Sequence, residues 1–217
     1  AFADSITFDF IDIKDEDSFG RGGERYALTI VDRATKWSRV FPCKDKTTET
    51  VRDCLLHFLG PGVQPKHLYS DNAGEFKAAV KVLGWAGLHD LSTPNRSETN
   101  GVVERANRTY QNGISIALVQ SGLSPVWWPE AARCFSFMHQ IQDISKNPDV
   151  TPFSDRFGTS FDGPRIPFGA AIRYKPSSKL GLSQLPKFGE KLLPGIFIGY
   201  DTRSGGPGQV ISSLPIS

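Results

Sequence analysis

Three acidic residues on three separate segments are the groups in this sequence best suited to chemistry. Asp71 closes a short apolar run, Leu68-Tyr69-Ser70, and opens the string Asp71-Asn72-Ala73-Gly74-Glu75-Phe76. Glu104 follows Asn100-Gly101-Val102-Val103, one turn into a helical pattern that comes after the proline-bearing loop Ser92-Thr93-Pro94. Asp9 stands inside the alternating run of residues 5–11. Three carboxylates from separate elements are what a two-metal phosphoryl-transfer site needs. Two divalent ions roughly 4 Å apart activate the attacking oxygen, stabilise the leaving oxygen and neutralise charge at phosphorus. Mg²⁺ takes oxygen ligands and leaves several positions to water and substrate phosphate, so a few carboxylates suffice. In the expected division Asp9 bridges both ions, Asp71 completes one site and Glu104 the other. Without metal the three would repel one another, so the site should bind cations avidly.

Each acid also has a simpler reading. Asp9 could lie on the exposed face of an edge strand, Asp71-Asn72 could cap the following helix, and Glu104 could be a surface acid favoured by the helix dipole. Asp12 competes for the role of Asp9, but strand alternation turns it to the opposite face. Asp32 also ends a strand, and Arg33 beside it suggests a structural salt bridge. Glu75, four residues after Asp71, is read as a supporting contact. Glu104, Arg108 and Gln111 recur at i, i+4 and i+7 and so stack on one helix face. Arg108 and Gln111 are read as DNA contacts tracking phosphates, although an ordinary solvated face would have the same spacing. Arg105, about 100° around the helix, is a further candidate for DNA. Asn100-Gly101 is the turn that would admit backbone close to the substrate.

The elements that must position these groups follow from periodicity. Residues 5–13 read as a strand, 14–24 as a Gly-rich charged loop, and 26–31 and 37–42 as two further strands with short links, an antiparallel meander. Thr47 or Thr48 caps a helix over 49–59, whose stripe is Val51, Cys54, Leu55 and Phe58; Gly60-Pro61-Gly62 stops it. A strand over 66–70 ends at Asp71, a helix covers 73–85, and a small strand covers 88–91. A long helix from about 100 to 119 buries Val103, Ala106, Tyr110, Ile114 and Ala117. Another spans 127–141, with Pro129 tolerable only in its first turn. Trp127, Trp128, Phe135 and Phe137 are read as core rather than base-stacking platforms. After residue 147 periodicity fades, leaving β-like runs at 166–174 and 193–200. The expected division is a core of residues 1–148 and a small, incomplete β-rich module with linker over 149–217. Strands first, then alternating strand and helix, match an α/β ribonuclease H-like fold, a mixed sheet flanked by helices.

Composition narrows the class. A chain of 217 residues with 39% hydrophobic side chains can bury a real core. The net charge of +2 is uneven: residues 1–32 hold eight acids and three bases, whereas residues 165–203 hold seven bases and two acids. That asymmetry fits a metal site and a polyanion surface, the latter on Arg165, Arg173, Lys175, Lys179, Lys187 and Lys191; a solvated surface of mixed sign gives the same counts. Three cysteines and no disulfide framework suggest a reducing compartment. Cys54-x-x-His57 has no second pair to complete a zinc site. No apolar run approaches the ~20 residues of a membrane span. A start without methionine and a Gly/Ser/Pro-rich end suggest a piece of something longer.

At these residues the chain resembles the catalytic domain of retroviral-type integrases, most closely those of copia-type LTR retrotransposons. The family's D-N-x-x-E-F is similar to Asp71-Asn72-Ala73-Gly74-Glu75-Phe76. Its S-x-P…N-G-x-x-E-R-x-N-R-T resembles Ser92-Thr93-Pro94…Asn100-Gly101-Val102-Val103-Glu104-Arg105-Ala106-Asn107-Arg108-Thr109, and its first acid falls on Asp9. Trp128-Pro129-Glu130-Ala131 resembles the family's W-x-E-A, and Phe197-Ile198-Gly199-Tyr200 its F-x-G-Y. The resemblance implies a ribonuclease H-like fold, two Mg²⁺ or Mn²⁺ ions on Asp9, Asp71 and Glu104, and support from Asn72, Glu75 and Asn107. It also implies end processing and strand transfer of element-end DNA into target DNA, by a homo-oligomer acting in the nucleus after cytoplasmic particles, with no membrane role. Three departures stand out. The 32 residues between Asp71 and Glu104 are fewer than the family's commonest spacing. Ala73 stands where glycine is usual, and Ser97 where a second proline is common. The family's upstream His/Cys zinc domain is not in this segment. A DNA-binding relic without activity, and a nuclease of the same fold using water in place of a DNA 3′-hydroxyl, are the alternatives.

Overall fold

The computed structural model describes residues 1–91, 97–145, 149–176, 182–183, 185–201 and 210–215, without the side chains of 91, 97–100, 201 and 210–215. β1 (Ile6–Asp12), β2 (Tyr26–Asp32) and β3 (Ser38–Cys43) form the expected antiparallel meander. β4 (Leu68–Ser70) and β5 (His89–Leu91) add parallel to β1, giving a five-stranded sheet in the order β3-β2-β1-β4-β5. β1 is therefore central and covered on both faces, which is why Ile6, Thr7 and Phe8 are all fully buried although successive side chains point to opposite sides.

α1 (Thr48–Leu59) and α2 (Gly74–Val82) cover the face to which Phe8 and Phe10 point. Phe76 of α2 meets Phe8 edge-on at 5.0 Å and stacks on Phe10 at 5.3 Å. Thr47 is the cap of α1, accepting from the Thr50 amide, and Val51, Leu55 and Phe58 are its buried stripe. α2 ends sooner than the apolar pattern predicts, because Gly84 turns the chain at φ 75°.

α3 (Ser97–Ser121) and α4 (Trp128–Gln142) cover the other face. α3 begins a little earlier than its sequence pattern predicts and buries Val103, Tyr110 and Ile114, with Ala106 and Ala117 partly buried. A Cβ at Gly113 would lie 2.0 Å from the Phe135 ring, so only glycine lets the two helices approach this closely. α4 also closes an exposed sheet edge. The Ser38 amide of β3 donates to Gln140 Oε1 (3.1 Å), and the Val40 amide donates to Ser136 Oγ (3.3 Å). These two α4 side chains, at i and i+4, stand in for a sixth strand. Ser38 Oγ and Tyr110 OH, 2.6 Å apart, tie α3 into the same network.

The chain after residue 148 is less irregular than its composition suggests. Thr151 and Ser154 form a capping box that starts α5 (Pro152–Phe157), an element the fading periodicity conceals. Arg156 of α5 donates to the Phe58 and Leu59 carbonyls at the end of α1 and lies over the Phe2 ring at 3.9 Å. β6 (Ala171–Tyr174), β7 (Leu193–Asp201) and β8 (Val210–Pro215) make a three-stranded antiparallel sheet. β8 falls on what reads as a tail. The second sheet shares the first unit's core: Tyr200 lies 4.4 Å from Phe137, and Phe161 packs on both. Gly199, beside Cys134 of α4, takes a φ of 140°, a backbone conformation that residues with side chains rarely adopt. Among the described residues no helix is long and apolar enough to cross a membrane.

Candidate active site

The register of the sheet brings two of the acids together. β1 and β4 pair as Ile6 with Leu68 and Thr7 with Tyr69, and the same offset aligns Asp9 with Asp71. Both stand toward the carboxyl ends of neighbouring parallel strands, where open α/β sheets hold their ligands. Glu104 comes from α3. All three line one open cavity of about 540 Å³, together with Glu75, Asn107, Arg108 and Gln111.

Like Asp71, and unlike the exposed Glu104, Asp9 is half-buried. Its Oδ1 accepts from the Phe10 amide (2.9 Å), and its Oδ2 accepts from Asn107 Nδ2 (3.2 Å). Burial, reinforced by the nearby Asp71 and Glu104 carboxylates, pushes its pKa up to about 6, against the opposing pull of the Phe10 amide and Lys46. Asn107 Oδ1 is itself buried and has no hydrogen-bond partner among the described residues. Asp71 Oδ1 accepts from the Ala73 amide (3.0 Å), so its carboxylate shapes the turn ahead of α2 while Ala73 occupies the cap position. Ser70 Oγ donates to the Asp71 carbonyl and lies 2.8 Å from His89 Nε2, tying β4 to β5 beneath the acid. Burial lowers the His89 pKa, favouring the neutral ring.

The polar face expected on the long helix is present, with Glu104, Arg108 and Gln111 all on the cavity wall. Arg105 is exposed and outside the lining, as is Asn72. The Asn100 side chain lies outside the described residues, as do Ser92, Thr93, Pro94 and the Ser97 side chain. The shorter spacing between Asp71 and Glu104 does not carry Glu104 away from the cavity.

One expectation needs correction, that on Asp32. Asp12 lines the same cavity as Asp9 but from the opposite face of β1, that of Phe10, as alternation predicts. Its carboxylate pairs with Lys46 Nζ at 2.5 Å. Asp32 makes no pair with Arg33; its Oδ2 accepts from the Thr35 amide (2.9 Å) and Thr35 Oγ1 (2.6 Å), while Arg33 lies over Tyr69. Sequence reasoning also missed Lys14 and Lys46, which line the cavity. Lys46 belongs to the link between β3 and α1, where no periodicity marks a residue as functional. On the C-terminal basic segment, Arg173 pairs with Glu190, and Lys191 bonds the Pro186 and Lys187 carbonyls.

The donor set suits a hard divalent cation. It offers carboxylate oxygens, and the ionisation of Asp9 is suppressed by burial and like charge, a cost that a bound cation would reverse. The acids line one space without closing on it: among the described residues no three His, Cys, Asp or Glu side chains are gathered tightly enough to enclose a metal ion as they stand.

Comparison with known proteins follows the same lines. No family model matches the chain. It is 26% identical over 196 residues, 82% of its length, to the Retrovirus-related Pol polyprotein from transposon TNT 1-94 of Nicotiana tabacum. It is 30% identical over 161 residues, 68% of its length, to that from transposon RE1 of Arabidopsis thaliana. The Gag-Pol polyprotein of Koala retrovirus is 34% identical over 119 residues, 52% of the chain. The chain spans only 14%, 10% and 7% of these polyproteins, respectively. Among solved structures, the HTLV-2 integrase catalytic core domain in complex with magnesium (trimeric form) superposes with a TM-score of 0.54 at 18% identity, covering 70% of this chain and 95% of that one. This likeness shows the fold, a ribonuclease H-like mixed sheet with flanking helices.

Proposed function

From a chain whose integrase-core-like region is shared with copia-type Pol polyproteins and retroviral Gag-Pol polyproteins, we propose a metal-dependent polynucleotidyl transferase that processes the ends of element DNA and joins them to target DNA. One observation carries this reading: Asp9 of β1 and Asp71, directly after the parallel neighbour β4, line one cavity with Glu104. Asp9, Asp71 and Glu104 would hold Mg²⁺ or Mn²⁺, two ions in all. Bound there, such ions polarise the scissile phosphate and activate the attacking oxygen.

The chain's own residues supply the remainder. Asn107 orients Asp9 by donating to Oδ2, while the Phe10 amide holds Oδ1. Asp71 is held by its bond from the Ala73 amide, leaving its second oxygen uncommitted to that turn. Arg108 and Gln111, stacked along α3 from Glu104, are suited to the phosphates flanking the reacting one. Glu75 supports the floor next to Asp71, and Asn72, Asn100 and Arg105 would meet DNA or neighbouring loops at the margin. The partners are element-end and target duplexes and further copies of the chain. The site of action is where target DNA lies, the nucleus, with cytoplasmic particles beforehand.

The test is a strand-transfer reaction with a labelled element-end duplex, a target plasmid and Mn²⁺ or Mg²⁺. The wild-type chain should yield joined products, and Asp71→Asn should abolish them while its circular dichroism and melting profile stay native. An active Asp71→Asn protein would end the proposal. Cleaved ends without joined products would make the chain a nuclease. DNA binding with neither product would make it a relic.

A further inference from the structure

We infer that Lys46 is a phosphate-binding residue of this site, reaching it from the face opposite α3 and held in waiting by Asp12. The inference rests on the nucleic-acid reading above and adds a second wall to it. Arg108 and Gln111 come to the cavity from α3, on the face of β1 that carries Asp9. Lys46 comes from the link between β3 and α1, on the face that carries Phe10 and Phe76. Its ammonium stands 5.3 Å from the Phe10 ring centre and 4.9 Å from that of Tyr26, while its carboxylate partner Asp12 ends β1. A chain crossing the sheet edge between those faces would have the acids below it and a cation on either side.

The surroundings of Lys46 suit exchange more than permanence. The pair with Asp12 is solvent-accessible on both sides, with Lys46 31% and Asp12 46% exposed, and such pairs contribute little to stability. The two aromatic rings hold the ammonium over the cavity without neutralising it. An arriving phosphate can therefore replace Asp12 as the partner at small cost, and Asp12, a fifth aspartate or glutamate on a cavity wall that already repels phosphate, acts as its competitor. The lysine also offsets the carboxylates: its charge opposes the upward shift at Asp9.

The experiment is a double-mutant cycle on DNA affinity, read by fluorescence anisotropy with a labelled 20-base-pair duplex in EDTA across a salt series, so that turnover plays no part. Lys46→Gln should weaken binding about three- to tenfold near 0.1 M salt and reduce the slope of log affinity against log salt by about one. Lys46→Arg should restore most of both. Asp12→Asn should tighten binding about two- to fivefold in the wild-type background and leave it unchanged in the Lys46→Gln background. A Lys46→Gln protein with lowered melting temperature and unchanged salt slope would reduce Lys46 to a structural strut. An Asp12→Asn effect that persists without Lys46 would reduce Asp12 to bulk charge; either result overturns the inference. A wild-type chain that binds no duplex at any salt would instead sink the nucleic-acid reading on which it rests.

Discussion

Asp9 and Asp32 lie on the same β1–β2 ladder, three residue pairs apart, and have been given opposite tasks. Both lose solvation, and burial raises the pKa of each. Asp32 is fully buried and spends its carboxylate locally, accepting from the Thr35 amide and hydroxyl so that the β2–β3 turn is fixed. Asp9 faces an open cavity and two further carboxylates, with a single side-chain donor, Asn107. Burial alone therefore does not mark a functional acid. What distinguishes Asp9 is burial beside two further carboxylates that Lys46 opposes only in part, an arrangement that weakens the folded chain and strengthens cation binding.

The sharpest way to break this comparison is catalytic. Asp9→Asn should lower strand transfer by a thousandfold or more, on the order of 4 kcal/mol of lost transition-state stabilisation. Asp32→Asn, measured side by side, should retain activity within about threefold. Equal losses would mean that Asp9 matters only through the fold.

Stability should split the other way. In the folded chain Asp9 takes up its proton near pH 6, and in the unfolded chain near its ordinary value of 3.8. Between these values the folded state binds more protons, so stability from this group is complete below about pH 4 and is lost as pH rises through about 6. In EDTA at pH 7, Asp9→Asn should then be more stable than wild type by about 1–2 kcal/mol, after allowing for screening in an open cavity, and should lack that part of the decline. Asp32→Ala should lose about 1–3 kcal/mol, since it strands the buried Thr35 amide. Urea melts at pH 4.5 and 7 check both signs.

How much of this was legible in the sequence depends on whether a contact is local or distant. Asp71, Glu75 and the Glu104–Gln111 face lie on short motifs with regular spacing, and α1 and its cap could be read from Thr47 and the stripe of Val51, Leu55 and Phe58. The face of Asp12 was legible too, because alternation holds to the last pair of β1, Asp12 with Tyr26. Asp32 was misread because its adjacent arginine was more conspicuous than Thr35, three residues on. α5 was hidden because a six-residue helix is too short to show a period, although Thr151 and Pro152 signal its start. The pairing of α4 with the β3 edge joins residues about 100 positions apart, and no local pattern reveals that Gln140 is more than a buried glutamine.

That edge gives the smallest of the expected effects and a second way to sharpen the contrast between structural and functional burial. Gln140 accepts from the Ser38 amide and donates to Ser38 Oγ (3.1 Å) and Tyr110 OH (3.3 Å). Its polarity is consumed inside the protein, like that of Asp32 and unlike that of Asp9. Gln140→Leu keeps most of the volume and leaves the Ser38 amide without a partner, so it should cost about 1–2 kcal/mol, the penalty for a buried unpaired donor. The loss should be local: hydrogen exchange should quicken at Ser38, whose amide loses its acceptor, and stay unchanged at Thr7 and Leu68, across the sheet near the acids. Strand transfer should fall less than twofold at a temperature where both proteins are folded. A large activity loss with unchanged exchange at Ser38 would mean that the α4 edge communicates with the cavity, and that the separation of the two kinds of buried polar group drawn from Asp9 and Asp32 does not hold across the sheet.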